Sequence, residues 1–334
     1  MKLSPEKTAY LRQPVEIVCG SMEHPETCIR RYTGSGLYER VHEIDSGLGG
    51  EPVEILQITD VHFNCCDDYD ARNEELSDTL RCRKWNAGAA SVQAIRKCME
   101  YAAFFDQTVI TGDVLDYLSH GAVKLLEREI WDVDPDVLIA PGGHELVREM
   151  ETGKGDRTPF ETRHAIVDFV WRHDPTYVSK IVGKKAMVIV LDNSRGRYLP
   201  GQADKMRDDL ALARRQGLPV LLFQHEPLAT GNPEDAHKQS FRRYDPEYHD
   251  FYAGSVGAPG CDPVTAELYA LITDSADVIR GVYCGHLHSA FYTELRAHFT
   301  DADGVRHERN IPQFTLEGTV YDNYAGHVLR IIVK

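Results

Sequence analysis

Short apolar runs and longer amphipathic stretches alternate from residue 53 to residue 284. The runs fall at 53–59, 108–111, 137–140, 186–191, 219–223 and 278–284. Short runs of this kind, rich in Val, Ile and Leu, predict strands covered on both faces. Between them apolar residues recur at helical spacing near 86–105, 120–131, 160–172, 203–216 and 263–275. Strands that alternate with helices predict βαβ units and an α/β fold. The pattern changes in the tail. Residues 290–298, 313–318 and 326–333 read as antiparallel strands, with the turn Asp301-Ala302-Asp303-Gly304 joining the first two. Residues 1–48 read as an N-terminal extension with short strands at 15–19 and 38–44. The turn-rich segment 45–50 separates it from a main domain spanning 49–334.

Polar clusters close these apolar runs. Asp60-Val61-His62 follows the first, and Gly112-Asp113-Val114-Leu115-Asp116 the second. Gly142-Gly143-His144-Glu145, Asp192-Asn193, His225 and Gly285-His286-Leu287-His288 follow the others. In open α/β sheets ligands bind beyond the carboxyl ends of the strands, which is where these clusters fall. Strand alternation puts positions i and i+2 on one side, so Asp60 with His62, and His286 with His288, are each expected to reach one ion. Gly112 lets the chain turn sharply before Asp113, whose carboxylate can bridge two ions. Imidazole and carboxylate donors without thiolate suit Zn, Fe, Mn or Co, and argue against calcium and iron–sulfur sites.

Composition narrows the function classes. The chain has 334 residues, 42% hydrophobic and 27% charged, which is ordinary for a globular protein. Its formal net charge of −15 disfavours nucleic acid as a partner, because phosphate backbones need clustered Lys and Arg. The eight cysteines form no C-x-x-C pair, so a zinc knuckle is not expected. The polar start Met1-Lys2-Leu3-Ser4-Pro5-Glu6 lacks an apolar leader, and no stretch reaches the ~18 apolar residues of a membrane span. The expected location is the cytoplasm, with reduced thiols.

The ordered set D-x-H, G-D-x-x-D, G-[N]-H-E, H and G-H-x-H resembles the calcineurin-like metallophosphoesterase superfamily, over about residues 53 to 333. Each motif alone is weak; the ordered set is specific. The resemblance implies a four-layer α/β/β/α sandwich of two mixed sheets, with a dinuclear centre at the strand ends. It puts Asp60, His62, Asp113 and His288 on a first ion. It puts Asp113, His225 and His286 on a second, with Asp113 bridging. The ions are expected to be Mn, Fe or Zn. The family's remaining ligand to the second ion is the Asn of G-N-H, and here that place is Gly143. A weaker second ion is therefore expected. The place is left to a water, to Asn64 or Asn193 from neighbouring strand ends, or the centre is mononuclear or inactive.

The implied reaction is hydrolysis of a phosphate ester, with two ions clamping the phosphate and generating a hydroxide nucleophile. His144 matches the family's general acid, and Asp116 and Glu145 are expected to orient imidazoles. The family's protein phosphatases carry Arg-Gly after the second motif, whereas Asp116 here precedes Tyr117-Leu118. A small phosphodiester is therefore the expected substrate. The alternatives are a phosphomonoesterase and a scaffold that keeps the fold without turnover. The retained histidines favour an enzyme. Asn193 and Arg195 behind one strand, and Arg242 and Arg243 in the 230–261 insertion, are candidate substrate contacts. A second insertion runs from 64 to 85.

Overall fold

The computed structural model describes residues 14–18, 30–82, 89–146, 170–194, 196–230, 256–257, 259–288, 290–320 and 325–334. The first half runs β1 (Pro14–Val18), β2 (Arg30–Thr33), β3 (Tyr38–Ile44), β4 (Val53–Ile58), α1 (Glu74–Cys82) and α2 (Ala89–Ala102). It continues through β5 (Gln107–Thr111), α3 (His120–Leu126), β6 (Leu138–Ala140) and the single turn α4 (Gly143–Leu146). The second half runs β7 (Tyr177–Val182), β8 (Ala186–Leu191), α5 (Gln202–Gln216), β9 (Val220–Phe223), α6 (Pro263–Thr273) and β10 (Ile279–Cys284). It closes with β11 (Phe291–Leu295), β12 (His298–Thr300), β13 (Arg306–Glu308), β14 (Ile311–Thr315) and β15 (His327–Val333).

These strands form two mixed sheets. The first has the order β1-β2-β3-β15-β4-β5-β6, and the second β11-β14-β10-β9-β8-β7. β4, β5 and β6 are mutually parallel, as are β8, β9, β10 and β14. Alternation along β8 explains the layering. Ala186, Val188 and Val190 face the other sheet, while Met187, Ile189 and Leu191 face α5 and α6. Both sets are buried, which is why this strand reads as an unbroken apolar run. β4 does the same, with Ile55 between the sheets and Leu56 and Ile58 under α2. The result is four layers, α/β/β/α, with one apolar core between the sheets and one under each helical layer. Asp262 caps α6 by accepting from the Val264 and Thr265 amides, and Pro263 supplies its first turn.

The fold places one set of strand ends together. The loops after β4, β5 and β6 meet those after β8, β9 and β10 at a single edge of the sandwich. The tail departs from the expected meander. β11 and β14 do pair antiparallel, but β14 also runs parallel to β10. The Asp301–Gly304 turn closes a separate hairpin of β12 and β13 instead of joining β11 to β14. β15 crosses to the first sheet, parallel to β3 over seven residue pairs and antiparallel to β4. α1 lies within the 64–85 insertion, and β7 pairs along the edge of β8. The expected helix at 160–172 lies almost wholly outside the described residues. Among the described residues no helix is long and apolar enough to cross a membrane.

Candidate metal centre

The ligand candidates do not sit on the strands. β4 ends at Ile58 and β10 at Cys284, two residues short of Asp60 and His286. Asp60, His62, Asp113, His286 and His288 all adopt left-handed backbone, with φ of +51°, +49°, +50°, +73° and +51°. Strand alternation is therefore not what aligns each i, i+2 pair. Two left-handed residues flanking an ordinary one turn both side chains into the site. Among the described residues only one other non-glycine has positive φ, Lys184 in the β7–β8 turn. Left-handed backbone costs about 1–2 kcal/mol per residue, and such strain gathers at functional sites. Neighbouring loops hold it in place. The amides of Asp60, His62 and Phe63 donate to the carbonyls of Gly112, Asp113 and Val114 at 3.1, 2.9 and 2.7 Å.

Three donor groups result, with ligand atoms of each within 4.8 Å of one another. They are Asp60, His62, Asp113 and His288; Asp113, His225 and His286; and His62, Asp116 and His144. Asp113 belongs to both of the first two. Its Oδ2 is 3.1 Å from His225 Nε2 and 3.8 Å from His62 Nε2. His288 Nε2 is 3.0 Å from His62 Nε2 and 3.1 Å from Asp60 Oδ1. His286 presents Nδ1, 3.2 Å from His225 Nε2. Two glycines are needed for this approach. A Cβ at Gly112 would strike the His225 ring, and one at Gly142 the Asp113 carboxylate.

A ring of buried groups aims these side chains. His62 Nδ1 donates to Asp116 Oδ1 at 3.3 Å, and His225 Nδ1 to the Thr111 carbonyl at 2.7 Å. Each bond puts the proton on Nδ1 and turns a bare Nε2 inward, the tautomer a metal needs. His144 Nδ1 also lies on Asp116, 3.1 Å from Oδ1 and 2.9 Å from the carbonyl. Asp116 thus orients two imidazoles, and the Asn64 amide steadies its second oxygen at 3.1 Å. Glu145 differs from expectation. Its carboxylate accepts from the backbone amides of Leu115 and Gly142, both at 2.8 Å, so it ties two loops together, and among the described residues it bonds no imidazole.

Asn193 is fully buried. Its Oδ1 accepts from the His225 and Glu226 amides at 3.1 and 3.0 Å, and its Nδ2 donates to the Glu226 carbonyl at 2.7 Å. Its oxygen, with both acceptor positions taken, clamps the His225 loop and is not free for an ion. Arg195, Arg242 and Arg243 lie outside the described residues. Glu226 is an addition that sequence reasoning missed. It is half-buried, accepts from the Gly196 amide at 3.0 Å, and loss of surrounding water raises its carboxyl to about 7. Its partner is 30 positions away in the chain, so no local spacing announces it.

The electrostatics call for cations. Asp60 and Asp113 are buried, which alone would raise their carboxyls. Facing histidines nevertheless hold Asp60 and Asp113 well below the usual range. Burial disfavours charge on His225 and His62 as well. Asp113 overrides it at His225, raised to about 10, and Asp116 and Asp60 at His62, raised to about 9. The cluster thus gathers protons where metal ions would put positive charge, and metal binding would release them. Burial holds His286 down to about 3, keeping it a bare nitrogen donor. Asp60 Oδ1 is buried without a hydrogen bond. An orphaned carboxylate oxygen beside inward imidazole nitrogens fits a divalent ion.

The donor groups bring together the residues that the resemblance to the calcineurin-like metallophosphoesterases implies as ligands. No family model and no characterised protein sequence matches the chain. Solved structures do. The chain is similar to a dimetal phosphatase from Danio rerio at 14% identity, covering 83% of this chain and 90% of that one, with a TM-score of 0.49. It is similar to a purple acid phosphatase from yellow lupin seeds at 11% identity, covering 91% of this chain and 48% of that one, with a TM-score of 0.45. It is similar to a putative 5'-nucleotidase from Staphylococcus aureus at 11% identity, covering 79% and 54%, with a TM-score of 0.36. Likenesses this distant say nothing of this chain's activity, which must be read from its own residues.

Proposed function

We propose that this protein is a metal-dependent phosphoesterase acting on a small phosphodiester. One observation carries the reading. Five of the six described non-glycine residues with left-handed backbone are the Asp and His candidates of the donor groups. Strain concentrated on those positions is hard to explain unless they serve a ligand.

Asp60, His62, Asp113 and His288 would hold one ion, and Asp113, His225 and His286 the other. Bound there, divalent ions supply Lewis acidity that polarises a phosphoryl oxygen and lowers the pKa of water. The chain's own part is positioning and proton movement. Asp116 fixes His62 and His144 through one carboxylate oxygen. His144 keeps 21% of its side chain exposed, while His62 and His225 keep none. It therefore meets an arriving ester first. Burial sets His144 below the ordinary imidazole range, with Asp113 opposing. An anionic phosphate and the Asp116 carboxylate together favour the imidazolium, which then protonates the leaving oxygen. The diester preference rests on Tyr117-Leu118, which stand where the family's protein phosphatases carry Arg-Gly. Gly143 favours the competing reading of a scaffold that keeps the fold without turnover.

Hydrolysis of bis-p-nitrophenyl phosphate and p-nitrophenyl phosphate with added Mn separates these readings. The expected result is turnover of the diester, reduced about 10²–10⁴-fold in His144→Ala. Turnover of the monoester alone would replace the diester assignment. Bound ions without turnover of either ester would establish the scaffold.

A further inference from the structure

Several glycines press on the centre, and Gly143 is unlike the others. Gly112 and Gly142 leave no room for a side chain. Gly143 does, because a Cβ there would meet only the Ser194 carbonyl, at an ordinary 3.5 Å. Gly143 also has no left-handed backbone to require a glycine. Its missing side chain leaves space beside Asp113. Gly142, on one side, packs on the Asp113 carboxylate; the His144 amide, on the other, donates to Asp113 Oδ1 at 3.0 Å.

Ser194 borders that space with its carbonyl oxygen. It is 3% exposed, and its hydroxyl is buried with no hydrogen-bond partner among the described residues. Its amide is fixed to Asp192 Oδ1 at 2.9 Å, and the residue before it, Asn193, clamps the His225 loop. Ser194 is therefore held rigidly against the loop of a candidate ligand to the second ion. A buried hydroxyl without a partner bears the full cost of its lost hydration. Natural proteins settle such groups with an ordered water that finds two to four polar partners.

We propose that Ser194 replaces the asparagine that Gly143 lacks, its hydroxyl anchoring a water over Gly143 that completes the shell of the second ion. The proposal rests on the two-ion reading of the cluster. Ser194 is a positioning residue in this account, acting on the ion through the water. The arrangement also explains why Gly143 is tolerated: the oxygen it fails to supply comes from the facing loop.

The test is metal content, measured by mass spectrometry after dialysis against graded chelator with Mn or Zn as the probe. Wild type is expected to hold two ions. Ser194→Ala should keep the first and bind the second at least tenfold more weakly, as losses in a ligand's supporting shell do. Ser194→Thr, which keeps the hydroxyl, should retain the second ion. Gly143→Asn added to Ser194→Ala should restore it by supplying the amide directly. If Ser194→Ala holds both ions as tightly as wild type, the Ser194 assignment is wrong while the two-ion reading stands. A wild type that never holds more than one ion overturns both. Loss of both ions in Ser194→Ala counts against the proposal unless Gly143→Asn rescues the second.

Discussion

The left-handed residues make the centre a store of strain that can be measured without any assay of activity. Five residues at about 1–2 kcal/mol each amount to roughly 5–10 kcal/mol. A domain's whole net stability is only about 5–15 kcal/mol. Glycine relieves the local cost, because it has no Cβ to clash, but it gives back part of the gain as extra freedom in the unfolded chain. At His288, with φ of +51°, His288→Gly should be more stable than His288→Ala by about 1 kcal/mol. Both variants remove the imidazole, so the comparison isolates the backbone. Leu287 lies between two left-handed residues without sharing their conformation, and there the order should reverse, with Leu287→Ala above Leu287→Gly. Lys184, at φ of +59° in a surface turn far from the ligands, should follow His288. The measurement is denaturant unfolding in excess chelator, read from midpoints at unchanged slope. Equal midpoints for the two His288 variants, or a higher one for alanine, would show that the backbone there is not strained and would remove the main support for the functional reading.

Three further outcomes follow from the buried partners. Asp116→Asn removes the charge that orients His62 and His144, so metal affinity measured by competition with a chromogenic chelator should fall about 10–100-fold, with little change in far-UV circular dichroism. Asn193→Ala strands the buried His225 amide and the half-buried Glu226 amide and carbonyl, so unfolding free energy should drop on the order of 2–3 kcal/mol. A drop below about 0.5 kcal/mol would mean the loop holds without it. His42 packs on Phe314 with ring centres 4.3 Å apart and bonds the Tyr283 hydroxyl at 2.9 Å. Burial lowers it to about 4, with Glu43 pulling the other way. The unfolded chain therefore takes up this proton first. The stabilisation is present above about pH 6.5 and is lost as pH falls towards 4. His42→Gln should flatten that loss by up to about 3 kcal/mol, and identical pH profiles for the two proteins would refute it.

Much of this was legible from the chain because the strands are covered on both faces. Burial from two sides leaves an unbroken apolar run, as at residues 186–191, and such runs end abruptly where the chemistry starts. The weaker predictions failed where tertiary pairing overrides local pattern. β11 and β14 look like neighbours in a simple meander, yet β14 takes its place by pairing parallel to β10, whose partner residues lie 31 positions upstream, and β15 leaves for the other sheet. Nothing within a few residues of Ile311 encodes that choice.

The centre itself was legible as a list of candidate ligands but not as a geometry. Asp60 with His62 and His286 with His288 suggested two strand ends, because spacing of two is a strand signal. The same spacing serves two left-handed turns, and a sequence of Asp and His cannot distinguish them. At the Asp60–His62 pair, the left-handed form is held by the bonding of the Asp60, His62 and Phe63 amides to the loop after β5, a contact across more than fifty residues. Asn193 failed for the same reason. From its place at a strand end it resembled a ligand, and only the distant His225 and Glu226 amides reveal that it is a clamp. Gly143 shows the opposite limit. The sequence exposes the missing asparagine at once, but the answer to it lies on Ser194, 51 positions later, in a hydroxyl whose only mark is that nothing in the described chain bonds it. Ligands are local in sequence because each needs only one side chain at one strand end. The groups that make those ligands work are assembled by the fold, so their signature is an unpaired atom in space and not a spacing along the chain.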